Sequence, residues 1–190
     1  MDARERLIET TRDLLWERGY VGTSPRAILT RAGVGQGSMY HNFTGKAELA
    51  ATALNRSAEE MKTDAEEVFS RPGPVFERIT AYLRRERDVL KGCRIGRMTE
   101  DPDVVASDTL RRPLTDTFGW LQTRLADLLA EGQADGEFRA SFSPVPVAAA
   151  IAAVVQGGYV LAKAAQSAEP FDDAMTGALE LLSVHLVPAE

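Results

Sequence analysis

Residues 23–46 limit the fold of this chain more than any other stretch, because helix-breaking residues divide them into two short helices. Pro25 is suited to the first turn of one helix and Gly33 to its end. A second helix is predicted over about residues 36–42, before Gly45 interrupts the chain. Two short helices joined by a glycine turn form a helix-turn-helix, the motif of many DNA-binding proteins.

The charge of this stretch differs from that of the whole chain. No Asp or Glu lies between Arg18 and Lys46, although the formal net charge is −6. Residues 1–46 contain seven Lys or Arg against five Asp or Glu, whereas the remaining residues contain 15 against 23. A basic end on an acidic body suits a protein that presents one face to a polyanion.

Apolar residues recur at helical spacing along most of the chain, and no strand-length alternation is present. We therefore predict an all-α fold of about nine helices. Pro113 is expected to interrupt or restart one of them. The long helices are predicted at about residues 3–18, 46–69, 75–91, 103–132, 144–166 and 171–187, and Pro113 lies in the fourth of these ranges. Residues 1–46 would form a three-helix head, and residues 47–190 a larger helical body.

The segment from Gly33 to Leu49, GVGQGSMYHNFTGKAEL, resembles the helix-turn-helix and following helix of the tetracycline repressor (TetR) family. The shared pattern is a glycine turn, a small residue, an apolar residue followed by Tyr, an aromatic residue, and then Lys-x-x-Leu. Met39 stands where the family usually has Leu, and Asn42 where an aromatic residue or His is common. The resemblance is specific over about residues 7–54. It implies a DNA-binding transcriptional regulator that responds to a ligand.

Eight residues of the head are candidates for contact with double-stranded DNA. The resemblance places Tyr40 and His41 against the phosphate backbone, although a solvated surface is the competing interpretation of an exposed Tyr-His pair. Lys46 begins a helix, where its charge and free N–H groups can face a phosphate. Ser24 is suited to capping a helix as well as to touching phosphate. The full set is Ser24, Arg26, Gln36, Ser38, Tyr40, His41, Asn42 and Lys46, of which Gln36, Ser38 and Asn42 are the candidates for base edges.

The helical body accounts for two further predictions. An apolar chamber among its helices could bind a small-molecule effector, although core packing explains each candidate lining residue equally well. These candidates are Tyr82, Met98, Phe118, Trp120 and Tyr159. The last two helices are rich in Ala and Gly, which suits a homodimer interface. A dimer would present two recognition helices about 34–36 Å apart, or a multiple of that, and so would bind a palindromic operator.

We predict no catalytic residue, cofactor or metal. Neither a Walker phosphate loop nor GxSxG occurs, and Cys93 with two distant histidines does not make a metal site. The lone Cys93 is interpreted as a packing residue rather than a redox sensor. Residues 145–165 are long enough to span a membrane, but Gln156 and Lys163 favour a buried or subunit-contacting helix. Residues 1–16 mix charges and do not resemble a signal peptide, so we expect a cytoplasmic protein with no membrane partner.

Two alternative functions remain open at this point. A helical enzyme or small-molecule carrier would use the head as a lid and would not bind DNA. An architectural nucleic-acid binder would bind DNA without a ligand, but such proteins are generally basic over most of their surface, and this body is acidic. Our preferred function is a ligand-responsive repressor released from a palindromic operator by a small hydrophobic molecule.

Overall fold

The computed structural model describes residues 1–188, which fold into nine α-helices without a β-strand. A 3₁₀ segment, Gly96–Glu100, precedes the sixth helix. The predicted all-α fold class is therefore confirmed. The helices are α1 (Ala3–Arg18), α2 (Pro25–Ala32), α3 (Gln36–Asn42), α4 (Lys46–Phe69), α5 (Val75–Arg84), α6 (Pro102–Ala106), α7 (Asp108–Ala134), α8 (Pro144–Ala165) and α9 (Glu169–Ser183).

The chain forms two compact units. The first unit contains residues 1–61 and 93–117, and the second contains residues 62–92 and the chain from residue 118 onward. Helices α4 and α7 contribute residues to both units. The functional boundary between residues 46 and 47 stays a prediction, because the two units group residues by contact rather than by role.

The core of the first unit is made by α1, α2, α3 and the start of α4, with α1 packed against both short helices. Its central side chains are at most 3% exposed, and burial stabilises each of them by about 1.5–3 kcal/mol. They are Leu7, Ile8, Leu14, Ile28, Met39, Phe43 and Leu49. The apolar periodicity of these helices therefore fixes the orientation of the helix-turn-helix on α1.

In the second unit, α8 and α9 pack against each other and α5 packs against α9. The end of α4 and the second part of α7 complete the same core. Its large buried side chains include Phe69, Ile79, Leu83, Leu125, Leu129, Phe138, Ile151 and Phe171. This unit is thus a helical body with its own apolar core.

Helix α5 ends well before Lys91, so the predicted extent of this helix is wrong. Arg85 leaves the helix with φ −60° and ψ 149°. The guanidinium of Arg87 then donates to the main-chain oxygens of Leu83 and Arg85, at 2.8 and 2.9 Å, and of Tyr82. A side chain therefore satisfies carbonyl groups at the end of α5 that would otherwise lack a partner.

The break near Pro113 was also predicted incorrectly. Helix α7 runs through Pro113 without interruption, and the break falls at Ser107, which has φ −103° and ψ 116°. Pro113 lies in the second turn of α7, so its missing N–H removes one hydrogen bond near the helix start. The hydroxyl of Thr117 donates to the carbonyl oxygen of Pro113 at 2.6 Å.

The last helix ends at Ser183, so His185 lies outside it and its predicted position in a terminal helix is wrong. The Nδ1 atom of His185 is 3.2 Å from the hydroxyl of Ser141, and its ring centroid is 4.7 Å from that of Phe142. Arg139 donates its main-chain N–H to the carbonyl oxygen of His185 at 2.8 Å. Pairing with this preceding segment replaces the last helical turn.

Candidate nucleic-acid interface and ligand pocket

Helices α2 and α3 form the helix-turn-helix, and local signals fix its ends. The hydroxyl of Ser24 accepts a hydrogen bond from the N–H of Ala27 at 3.1 Å, so Ser24 caps α2 as predicted. Gly33 closes α2 in the left-handed conformation, with φ 63° and ψ 41°. The N–H of Val34 donates to the carbonyl oxygen of Leu29 at 3.2 Å. The turn that separates the two helices is therefore short and well defined.

Helix α3 turns its polar face to solvent. Met39 is fully buried in the first unit, whereas Tyr40 on the next position is 55% exposed. Gln36 and His41 are also exposed, and Ser38 is half-buried. The outward orientation expected from the sequence is therefore present, and hydrogen-bonding groups are available on a helix that can enter a groove.

The amide of Asn42 is engaged within α3. Its Nδ2 atom donates to the main-chain oxygen of Ser38 at 2.8 Å, and the side chain is half-buried. Recognition of adenine by Asn requires both the amide nitrogen and the amide oxygen. Among the three base-edge candidates, Gln36 is thus better placed than Asn42 for this contact.

The cations of the helix-turn-helix differ in their availability. Arg26 is exposed on α2. Arg31 forms an ion pair with Glu17 at 2.7 Å and lies 3.9 Å from Asp13, and the hydrogen bond to Glu17 raises its pKa. Arg31 therefore attaches α2 to α1, and its charge is already compensated.

Lys46 is also attached to the protein. Its ammonium donates to the main-chain oxygen of Tyr20 at 2.7 Å and lies 3.8 Å from the centroid of the Tyr20 ring. Burial lowers the pKa of Lys46, although Asp101 and Asp103 act in the opposite direction. An ammonium has three donors, so a phosphate contact is still geometrically open. Lys46 nonetheless has a structural role that the sequence did not predict.

Asp101 is a functional candidate that sequence reasoning missed. One oxygen of its carboxylate accepts the N–H groups of Tyr20 and Val21, at 2.7 and 2.9 Å. The other accepts those of Asp103 and Val104, at 3.2 and 3.4 Å. The Asp-Pro pair at residues 101 and 102 did signal the start of a helix. The contact with the loop before α2 crosses about 80 residues of chain and had no local signal.

An ion network around the buried Arg12 holds α1 on α4 within the first unit. Arg12 is 7% exposed and pairs with Glu9 at 2.8 Å and with Glu60. Arg56 pairs with Glu5 and, at 3.0 Å, with Glu9. These bonds lower the pKa of Glu9 against the opposing effect of its partial burial. The network fixes the two helices against which α2 and α3 are positioned.

The five predicted effector contacts are divided between the two units. Met98 is fully buried in the first unit. The others belong to the second unit, where Phe118 and Trp120 are half-buried on α7. Tyr82 is buried near the end of α5, and the ring of Tyr159 lies 4.8 Å from that of Phe171. Their contact with an effector stays a prediction.

The second unit contains a cavity of about 390 Å³, which we call the α5–α9 pocket. It lies between the chain that leaves α5 and the first half of α9. Its lining comprises residues 83–87, Val89, Ala168, Phe171, Asp172, Met175 and Thr176. None of the five predicted effector contacts lines this pocket, although the rings of Tyr82 and Tyr159 contact residues that do.

The residues that the structure describes contain no group of three or more His, Cys, Asp or Glu that could hold a metal ion. Cys93 is half-buried, and its sulfur accepts the N–H of Gly96 at 3.2 Å and lies 3.9 Å from the sulfur of Met61. Its surroundings are those of a packed side chain.

Comparison with known proteins gives two family matches. Residues 7–53 match the model of bacterial regulatory proteins of the tetR family, and residues 69–178 match the model of the tetracyclin repressor-like C-terminal domain. The first match includes all eight predicted DNA contacts. The second covers more than half of the chain.

Individual relatives match over nearly the whole length. The HTH-type transcriptional repressor DhaR of Mycobacterium sp. (strain GP1) is 26% identical over 182 residues, which cover 94% of this chain and 91% of DhaR. The crystal structure of reduced NemR from Escherichia coli aligns with a TM-score of 0.85 and 25% identity over all of both chains. The regulatory protein TetR from Rhodobacter sphaeroides aligns with a TM-score of 0.84 and 25% identity, covering 97% of this chain and 99% of that one.

Proposed function

This chain belongs to the tetracycline repressor family of transcriptional regulators, and from that premise we propose that a small hydrophobic molecule releases it from a palindromic operator, where it acts as a repressor. Regulators of this family bind DNA operators and small-molecule effectors and are dimeric. The similar proteins DhaR and NemR are transcriptional repressors. The proposed function therefore takes precedence over a helical enzyme or carrier.

The observation that carries the proposal is the exposed polar face of α3 in a segment without acidic side chains. Tyr40 and His41 would bind phosphate oxygens, and Gln36 and Ser38 would contact base edges in the major groove. Arg26 would add a phosphate contact from α2. Ser24 and Lys46 would act mainly by fixing the ends of α2 and α4, because both side chains already hold main-chain groups.

The proposed dimer uses apolar surface on α8 and α9. On α8, five small or apolar residues recur at helical spacing and are exposed. Two of them, Val160 and Leu161, are 59% and 54% exposed. The five are Ala153, Gly157, Val160, Leu161 and Ala164. On α9, Leu181 is 73% exposed on the same face as half-buried Ala174, Gly177 and Ala178. A second copy would remove this apolar surface from water.

The exposed apolar residues of α8 also raise the question of whether this helix crosses a membrane. Among the described residues, α8 is the one helix long and apolar enough to cross a membrane, and a third of its most apolar window is buried within this chain. A subunit interface accounts for the apolar residues that remain exposed. We therefore place the protein in the cytoplasm, where regulators of this family are typically found.

In the proposed mechanism, each dimer presents two copies of α3 to successive turns of the operator. An effector bound in the helical body lowers operator affinity only if it binds more tightly to the arrangement of heads that does not fit DNA. The free energy available for release equals that difference in affinity.

The test begins with selection of DNA fragments by the full-length protein, followed by measurement of affinity for the selected sequence. The expected sequence is a palindrome, and Tyr40→Ala should weaken binding about tenfold or more without changing the free energy of unfolding, because Tyr40 is exposed. Leu90→Ala, which shortens another exposed side chain, is the matched control. Failure to enrich any sequence, or equal affinities for the two variants, would refute the assignment.

The dimer is tested by light scattering coupled to gel filtration. Leu161→Glu should shift the protein to a monomer, whereas Val105→Glu, at an exposed position on α6, should leave the mass unchanged. A dimer that survives both Leu161→Glu and Leu181→Glu would place the interface elsewhere.

A further inference from the structure

Two residues that line the α5–α9 pocket, Arg85 and Arg87, each have a side-chain nitrogen that is buried within the protein and lacks a hydrogen-bond partner. In the described part of the chain, four buried side-chain nitrogen or oxygen atoms lack a hydrogen-bond partner. Two of these, the Nε atoms of Arg85 and Arg87, belong to residues that line this one cavity. Buried polar groups are normally hydrogen-bonded, and an unmet donor costs about as much as the desolvation of that group.

Among the described residues, no carboxylate forms a salt bridge with either guanidinium. Arg87 donates to main-chain oxygens of the loop, and its guanidinium carbon lies 5.3 Å from the centroid of the Tyr82 ring and 5.6 Å from that of Phe171. The guanidinium carbon of Arg85 lies 4.9 Å from the centroid of the same Tyr82 ring. Burial lowers the pKa of Arg87, and the neighbouring charge of Arg85 acts in the same direction. The two cations therefore share one aromatic ring and repel each other.

Arg78 shows that this arrangement is particular to the pocket. Its Nε atom is also buried without a partner, but its guanidinium pairs with Glu131 and donates to the main-chain oxygen of Phe69 at 3.0 Å. The charge of Arg78 is thus compensated inside the protein. Arg85 and Arg87 are half-buried, and no carboxylate of the described residues pairs with them, so an anion in the cavity can bind both guanidinium groups.

The rest of the lining limits the shape and charge of an occupant. Leu83, Val89, Phe171 and Met175 give the cavity an apolar wall. Asp172 also lines it, with Glu86 from the loop, so a multiply charged anion such as a phosphate monoester would meet repulsion. A single planar carboxylate on an apolar body matches the two guanidinium groups and the apolar wall.

We infer that the α5–α9 pocket is the effector site and that it takes an amphipathic carboxylate, whose head group is bound by Arg85 and Arg87. The apolar tail lies against Leu83, Phe171 and Met175. This inference rests on the proposed function only where it assigns the pocket a regulatory role. Binding of the carboxylate itself does not depend on DNA. The bound anion relieves the repulsion between the two guanidinium groups.

Isothermal titration calorimetry of the full-length protein with sodium octanoate, octanamide and octylammonium chloride tests the inference. Octanoate should bind at least tenfold more tightly than octanamide, and octylammonium more weakly still, because only the carboxylate offers the two arginines a negative charge and two acceptor oxygens. Arg85→Met, which keeps an unbranched apolar side chain but removes the guanidinium, should reduce the preference for octanoate over octanamide by about tenfold. Arg71→Gln, at an exposed position in the same unit, should leave the preference unchanged.

The ratio of carboxylate to amide affinity separates recognition from folding. Arg87→Met also removes the bonds that hold the loop, so a general loosening of the pocket would weaken both ligands equally and keep the ratio. Three results would each overturn the site. The first is equal affinity of the wild type for octanoate and octanamide, and the second is no binding of any carboxylate from butyrate to decanoate. The third is an unchanged ratio of the two affinities in Arg85→Met. If octanoate binds in calorimetry but does not release a selected operator in fluorescence anisotropy, the pocket is not the effector site. If octanoate binds but the protein selects no operator, only the DNA-binding function is refuted.

Discussion

Replacement of Asp101 by Asn should destabilise the loop that leads into the helix-turn-helix. The carboxylate is 9% exposed and accepts four main-chain N–H groups, two from Tyr20 and Val21 and two at the start of α6. An Asn side chain offers one carbonyl oxygen in place of two, and its NH₂ group would face the remaining pair of N–H groups.

The magnitude follows from the number of bonds lost. Hydrogen bonds to a charged acceptor contribute about 1.5–3 kcal/mol each, and a buried N–H left without an acceptor adds its desolvation cost. Loss of two such bonds at the lower figure predicts a fall of about 3 kcal/mol in the free energy of unfolding. A domain of this size is stable by about 5–15 kcal/mol, so Asp101→Asn should remain folded at 25 °C.

Urea denaturation followed by circular dichroism measures this loss. Asp103→Asn is the matched control, because Asp103 is exposed in the first turn of α6 and contributes only about 0.5 kcal/mol through the helix dipole. Hydrogen exchange adds a local readout, since at least one of the two pairs of amides should exchange faster in Asp101→Asn. A loss below about 1 kcal/mol, or equal losses in the two variants, would refute the role assigned to the Asp101 carboxylate.

Three further predictions use other contacts. Lys46→Ala should lower the free energy of unfolding by about 1 kcal/mol in urea denaturation, because it removes the hydrogen bond to the loop after α1. It should also reduce the salt slope of operator binding by about 1, but only if Lys46 contacts a phosphate as well. Gly158→Ala should cost about 1–3 kcal/mol in urea denaturation, because the added Cβ would lie 2.9 Å from a buried ring. Gly157→Ala has open space around it and should instead stabilise the protein by about 0.5–1 kcal/mol, because Ala is favoured over Gly inside a helix. The hydrogen bond from Arg124 lowers the pKa of Glu66 in the folded state. Glu66 therefore contributes stability above about pH 4.3, and this contribution is lost as the pH falls through the lowered pKa. In urea titrations, the difference in free energy of unfolding between wild type and Glu66→Gln should shrink on acidification and stay constant from pH 6 to 8.

The parts of the fold with local signals could be predicted from the sequence. The bounds of α1 and α4 agree with prediction, because Gly19 ends α1 and Gly45 precedes α4. The ends of α2 were equally readable, since Ser24 caps it and Gly33 closes it in the left-handed conformation. Such signals lie within a few residues of the feature that they determine.

The features that the sequence did not reveal depend on contacts between distant residues. Asp101 reaches a loop about 80 residues earlier in the chain, and nothing near either segment marks the pairing. The apolar periodicity after Val75 continues toward Leu90, but the Arg87 side chain takes the carbonyl groups that a longer helix would have used. The pocket has the same origin, because its arginines converge with α9 only after the chain has folded.

The structure also changes the meaning of the charge pattern in residues 23–46. Three cations lie in this stretch, but Arg31 is paired with Glu17 and Lys46 holds the oxygen of Tyr20, while Arg26 is exposed on α2. Most of the positive charge therefore stabilises the helix-turn-helix itself. The absence of acidic residues prevents repulsion of a phosphate backbone, but it does not create a strongly attractive surface. Under the proposed function, operator discrimination depends on the hydrogen-bonding groups of α3 and on the spacing of two heads. A ligand that alters this spacing has little nonspecific electrostatic affinity to overcome, which suits a regulator whose DNA binding is meant to be reversible.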